Sequence, residues 1–132
     1  MRVVVDTNVL LAAIATHGLC ESLLALCYRD HVVILSEYIL AEVAEHYCGK
    51  FRVPSEQAGF VVDTLRSQSE MVTPAQVPAD AFEDIDDLPI LGTAIAARAE
   101  CIVTGGQALL ALGEYQGVLI LSPRAFYERI RG

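Results

Sequence analysis

Positive charge is what this 132-residue sequence has least of: nine Lys and Arg stand against 17 Asp and Glu, a formal net charge of −8. That balance excludes a protein that holds nucleic acid mainly through a basic face. A polyanionic partner has to be met by a local feature, such as a bound metal. Lysine is nearly missing: Lys50 is the only one, a bias toward arginine. Long apolar runs are missing too. Val9 to Ala15 is among the longest, far below the ~20 residues of a membrane span. No small-residue cleavage site follows the N-terminal apolar run, which Asp6 interrupts, so a signal peptide is not expected. Cys-x-x-C pairs are lacking as well. Cys20, Cys27, Cys48 and Cys101 sit in apolar surroundings, and the spacing of Cys20 and Cys27 puts them on one helix face. They read as reduced core cysteines of a cytoplasmic protein rather than a zinc site or a disulfide frame.

What is present is a core. Hydrophobic residues make up 54% and charged residues 20% of the chain, which excludes global disorder. The length fits a single domain over residues 1–132, burying roughly two-thirds of its unfolded surface. Short β-branched runs alternate with helical stretches. Strands are expected at Arg2 to Val5, Val32 to Leu35, Met71 to Thr73, Cys101 to Thr104 and Val118 to Leu121. Helices are expected at Val9 to Ala15 and Leu19 to Arg29, with a break at His17-Gly18. Ser36 caps a helix to about Cys48, with Gly49 as its stop, and Pro54-Ser55 opens another to about Ser69. Pro74 to Asp84 reads as a loop. A helix with Pro89 in its first turn runs to about Glu100; Gln107 to Leu112 and the segment after Ser122-Pro123 complete the set. Continuously apolar strands separated by helices argue for a parallel sheet covered on both faces. Such sheets bind ligands outside the carboxyl ends of their strands, at a topological switch point.

Three acids answer that rule. Asp6 ends the first strand, and Thr7-Asn8 after it can cap the next helix. Glu42 lies among Ile39, Leu40 and Val43 at the edge of a buried stripe. Asp87 opens the helix before the fourth strand, with Asp84 and Asp86 beside it. Each has a plain alternative: a turn residue, a solvated helix residue, an N-cap favoured by the helix dipole. Together they read differently. Converging carboxylates repel one another unless a divalent cation neutralises them, and Mg²⁺ or Mn²⁺ suits an all-oxygen site with retained waters.

The segments VVVDTNVLLAAI, ILAEVAEHY and DDLPILGTAIAARAECIVTGG resemble the PIN domain, and more narrowly the VapC-like toxin components of toxin–antitoxin pairs. The resemblance covers nearly the whole chain. It implies a three-layer α/β/α sandwich around a mostly parallel sheet of about five strands. It also implies a Mg²⁺- or Mn²⁺-dependent ribonuclease whose metal and catalytic acids are Asp6, Glu42 and Asp87. Asn8 and Thr104 match polar positions lining such sites, and Asp84 is a possible supporting acid. An RNA substrate, an antitoxin protein and a homodimer are the implied partners, without a membrane.

One departure stands out. The family usually continues Val-Thr-Gly with Asp-x-Asp, whereas Gly106 and Ala108 fill the two acidic positions here. The fourth acid is therefore missing. This leaves a second reading open, a catalytically impaired PIN module that binds RNA or a protein partner. A phosphoacceptor receiver domain is excluded, because Lys50 is far from the last strand. A haloacid dehalogenase is excluded because Asn8, not an acid, stands two after Asp6. His46, one turn beyond Glu42, reads as a helix-surface residue before a metal ligand, and Arg98 likewise as a surface residue. Gly105-Gly106 reads as a plain turn, lacking the spacing of a phosphate loop. Phe126, Tyr127 and Ile130 read as packing residues, in the core or at a homodimer interface.

Overall fold

A computed structural model describes residues 1–131. Six strands form one sheet: β1 (Arg2–Val5), β2 (Val32–Leu35), β3 (Glu70–Met71), β4 (Cys101–Val103), β5 (Glu114–Tyr115) and β6 (Val118–Leu121). Among the described residues the helices are α1 (Thr7–Ala15), α2 (Leu19–Asp30), α3 (Glu37–Gly49), α4 (Ser55–Gln68), α5 (Leu88–Ala97), α6 (Gln107–Leu112) and α7 (Pro123–Arg131). A 3-10 turn, Ile85–Asp87, leads into α5.

The strand order is β3-β2-β1-β4-β6-β5, parallel throughout except for β5 against β6. Val3, Val4 and Val5 of β1 and Cys101, Ile102 and Val103 of β4 are wholly buried. Successive side chains point to opposite faces, so helices cover both. The chain runs outward from β1 to β2 and β3 on one side, and to β4, β6 and β5 on the other. The switch point therefore lies between β1 and β4, whose loops meet where the Asp6 N–H donates to the Val103 carbonyl at 3.0 Å.

The expected strands and helices are present, with differences at their ends. α1 starts at Thr7 because Asp6, not Thr7 or Asn8, is its N-cap. α5 stops at Ala97 rather than near Glu100: Arg98 turns left-handed at φ +52° and the Ala99 N–H closes onto the Ala94 carbonyl at 2.9 Å. The sixth strand, β5, was not expected. Gln116 (φ +48°) and Gly117 (φ +85°) form a two-residue hairpin that folds it onto β6, the turn geometry that suits a twisted antiparallel pair. Phe126 is fully buried and meets His31 edge-on, and Tyr127 and Ile130 pack on the same core. Cys27 and Cys101 are buried, and burial pushes their thiols up to about 11 and about 12 respectively, which makes them inert fillers. Among the described residues no single helix is long and apolar enough to cross a membrane.

One glycine fixes where α5 lies. The Gly92 carbonyl accepts from the Ala75 N–H at 2.9 Å, and a β-carbon at Gly92 would stand 2.3 Å from the Ala75 carbonyl oxygen. Alanine gains about 1 kcal/mol of helix propensity. Overpacking against backbone costs about 1–3 kcal/mol, and a 2.3 Å approach belongs at the upper end. Gly92→Ala is therefore expected to destabilise the fold by about 2 kcal/mol net in urea unfolding. A stabilised variant would show that the loop gives way freely.

Candidate active site

Asp6 reaches the site because β1 ends there and α1 begins. Its carboxylate is nearly buried and held at both oxygens: Oδ1 accepts from the Thr7 N–H and Oδ2 from the Thr104 hydroxyl, both at 2.7 Å. The Thr104 hydroxyl in turn accepts from the Gly106 N–H at 2.9 Å, so its proton has one direction to point. Asn8 joins the same two loops, its Oδ1 accepting from the Gly105 N–H at 3.0 Å.

Glu42 comes from the second turn of α3. That helix is set against α5 by a buried hydroxyl pair: the Ser36 hydroxyl donates to Thr93 at 3.0 Å, and Thr93 donates its own proton to the Pro89 carbonyl at 2.7 Å. Ser36 is also the N-cap of α3. The Thr7 hydroxyl donates to Glu42 Oε1 at 2.9 Å, linking the first acid's helix to the second acid. Asp87 sits at the N-terminus of α5 without capping it through its side chain. Its loop is held from α3 by Tyr38, whose hydroxyl donates to the Asp86 carbonyl at 2.7 Å.

The three acids line one cleft of about 500 Å³, together with Thr7, Asn8, His46, Lys50 and Phe51. Asp84 is not among the lining residues: its carboxylate accepts from the Asp86 N–H at 3.0 Å as a loop cap. His46 lines the cleft, but its Nδ1 donates back to the Glu42 carbonyl at 2.8 Å. Gly106 is the N-cap of α6 with an ordinary φ of −72°. Arg98 caps the far end of α5 on the surface. Two contributors lie beyond what the sequence pattern shows: the Thr7 hydroxyl, whose position there marks only a cap, and Tyr38. Tyr38 has no sequence signal, because its partner is a backbone carbonyl 48 residues on.

The electrostatics follow from crowding. Burial raises the Asp6 carboxyl, against the Thr104 and Thr7 hydrogen bonds. Burial raises Glu42 too, reinforced by Asp6. Asp87 is pushed up to about 6, first by burial and then by Asp6, Asp84, Glu42 and Asp86. Burial, then Glu42, Asp86, Asp87 and Asp84, drive the Tyr38 hydroxyl up to about 12. Among the described residues none of the three acids has an Arg or Lys ion pair.

The shift at Asp87 fixes a sign. The folded carboxyl binds its proton more tightly than the unfolded one, so this group's contribution to stability is greatest below pH 3.8 and is lost as pH rises to about 6. In metal-free denaturation, wild type is expected to lose stability relative to Asp87→Asn between pH 4 and pH 7. Parallel pH profiles would contradict the crowding.

The donors suit a hard divalent cation, being carboxylates and hydroxyls around one cleft with uncompensated negative charge. Among the described residues no three acidic, thiol or imidazole side chains stand close enough to hold a metal directly between them. The fit is therefore that of an ion that keeps several waters between itself and the protein, as Mg²⁺ does.

The sequence profile described as PIN domain matches residues 2–108. No curated protein matches the chain. Among solved structures, one similar chain belongs to the crystal structure of VapBC2 from Rickettsia felis bound to a DNA fragment from their promoter. The match has a TM-score of 0.64 and 19% identity, and covers 92% of this chain and 98% of that one.

Proposed function

This chain belongs to the PIN domain family, and from that premise we propose that it is a metal-dependent endoribonuclease, the toxin of a toxin–antitoxin pair. One observation carries the reading: Asp6, Glu42 and Asp87, from three separate segments, line one cleft at the β1/β4 switch point, with no Arg or Lys ion pair to any of them among the described residues. PIN domains are typically Mg²⁺-dependent nucleases, which supports the choice of cofactor. The fold likeness to VapBC2 supports an antitoxin partner. A cytoplasmic homodimer under that partner's restraint completes the proposal.

Asp6, Glu42 and Asp87 would together hold Mg²⁺ or Mn²⁺, Asp6 directly and the others in part through water. When bound, the ion polarises a phosphate oxygen and lowers the pKa of a water for phosphodiester hydrolysis. The protein's part is orientation. Thr7 and Thr104 each donate a hydroxyl proton to an acid, which fixes the remaining carboxylate lone pairs toward the cleft. Asn8 ties the Gly105 turn to α1, holding the β4 loop against the β1 loop. Tyr38 anchors the Asp86 backbone, and with it the approach to Asp87. Asp84 shapes that loop and adds charge beside Asp87.

A second reading has its own observation. Gly106 leaves the site without a fourth acid, which favours an impaired PIN module that binds RNA or a protein. The two separate on RNA cleavage assayed with and without Mg²⁺ or Mn²⁺. Cleavage that EDTA stops supports the enzyme; RNA binding with no cleavage at any metal concentration supports the module.

A further inference from the structure

We propose that the C-terminal end of α3 is a docking rim for single-stranded RNA, with Phe51 as a base-stacking platform and Lys50 as a phosphate contact. The inference rests on the ribonuclease reading and specifies the form of its substrate.

The argument starts from charge. A cleft of carboxylates in a chain of net charge −8 repels RNA, so affinity has to come from a local cation and from contacts that carry no charge. Both stand at one place. Lys50, the only lysine, lines the cleft and is exposed. Arg52 follows two residues on, also exposed. Among the described residues neither side chain has a hydrogen bond or ion pair, whereas Arg2, Arg29 and Arg66 are tied to Glu70, Asp30 and Glu37.

Between those two cations stands Phe51. It is 40% exposed, lines the same cleft, and is backed by Tyr47 with ring centroids 6.0 Å apart. A partly exposed aromatic ring steadied by a second, tilted at 58° to it, suits stacking on an unpaired base, which is sequence-tolerant and needs no net charge. A duplex hides those base faces, so the geometry favours a single strand.

Helix periodicity sets the spacing. Glu42, His46 and Lys50 follow one another at i, i+4 and i+8 on one ridge of α3. The helical rise puts Lys50 about 12 Å from Glu42, or about three nucleotides at the 3.4 Å stacked spacing. The rim therefore holds the strand a short distance from the acids and does not compete with them for the scissile phosphate. Arg52 is fixed at φ +54°, a conformation that glycine adopts more easily, in a turn closed by the Val53 N–H on the Tyr47 carbonyl at 3.2 Å. That turn stops α3 and presents the Lys50-Phe51-Arg52 tripeptide beside the cleft.

The test uses the full chain and a short oligoribonucleotide carrying 2-aminopurine, with anisotropy and stacking-induced quenching read before turnover in Mg²⁺ buffer. Phe51→Leu is expected to abolish the quenching, weaken binding about tenfold and raise KM with little change in kcat. Phe51→Trp is expected to keep both signals. Lys50→Gln is expected to lower the salt dependence of binding by about one phosphate contact. Phe60→Leu, at a 73% exposed phenylalanine on α4, serves as the control and is expected to change nothing. A duplex of the same length is expected to bind at least about tenfold more weakly. If wild type cleaves RNA but Phe51→Leu quenches and binds like wild type, or the duplex binds equally well, the rim is wrong and the nuclease reading stands. If wild type neither binds nor cleaves RNA, both fall. Should Phe51→Leu melt early, Lys50→Gln and the duplex comparison still decide the matter.

Discussion

Asp6→Asn is expected to lower metal-dependent RNA cleavage by more than about 100-fold while leaving the protein about as stable as wild type. The two effects have one cause. Loss of a group that merely supports a metal ligand typically costs about 10–100-fold, so loss of a proposed ligand belongs above that range. Stability is kept because the charge at Asp6 is held against burial. Its carboxyl is raised even though Thr7 and Thr104 both donate to it. Asparagine keeps an acceptor for the Thr7 N–H, and with it the N-cap of α1, and the loss of the buried charge offsets the amide NH2 that now faces the Thr104 hydroxyl proton. A paired measurement of cleavage rate and urea unfolding separates the possibilities. If cleavage and stability fall together, Asp6 serves the fold and the loss of activity says nothing about a metal. If cleavage is unchanged, the site lies elsewhere.

Gly106→Asp is expected to raise cleavage about tenfold or more and to tighten Mg²⁺ binding in step. The backbone is ready for a side chain there, at φ −72° and ψ 123°. A β-carbon would stand 3.3 Å from the Thr104 hydroxyl oxygen and 4.0 Å from Asn8 Nδ2. Thr104 has to give by a few tenths of an ångström, and the new carboxylate enters between two residues that already bound the site. At the N-cap of α6 an aspartate is also locally favourable. Without metal, one more carboxylate against the Thr104 hydroxyl that holds Asp6 deepens the crowding, so the variant should be less stable in EDTA and gain more than wild type from Mg²⁺. Such a gain in cleavage would identify the wild-type chain as a weakened nuclease. Unchanged cleavage would mean that three acids already suffice, which counts against the impaired reading.

The β-branched runs announce β1, β2, β4 and β6, because strands buried on both faces must be apolar without interruption. Asp6 is legible for the same reason: it is the first residue that such a strand cannot continue through. The convergence of Asp6 and Thr104 follows from β1 and β4 being neighbours, which local pattern does not encode; the family resemblance supplied it. β5 was missed because two residues, Glu114 and Tyr115, carry no periodicity. Only the Gln116-Gly117 turn hints at the hairpin. Tyr38 and the Phe51 rim were invisible for another reason. Their roles come from what the fold brings opposite them, a backbone carbonyl and an open cleft, and neither leaves a trace in spacing. Gly92 belongs with them, since its need to be glycine arises from the Ala75 backbone across a loop.

The central claim, that Asp6, Glu42 and Asp87 form one cation site serving RNA cleavage, is tested most directly by calorimetric titration of Mg²⁺ or Mn²⁺ into wild type and Asp6→Asn, with RNA cleavage followed in the same buffers. The account predicts metal binding that Asp6→Asn removes, and cleavage that appears only with the metal. Absence of binding and of cleavage in the wild-type protein would contradict it and would leave a PIN module whose work is done through a partner.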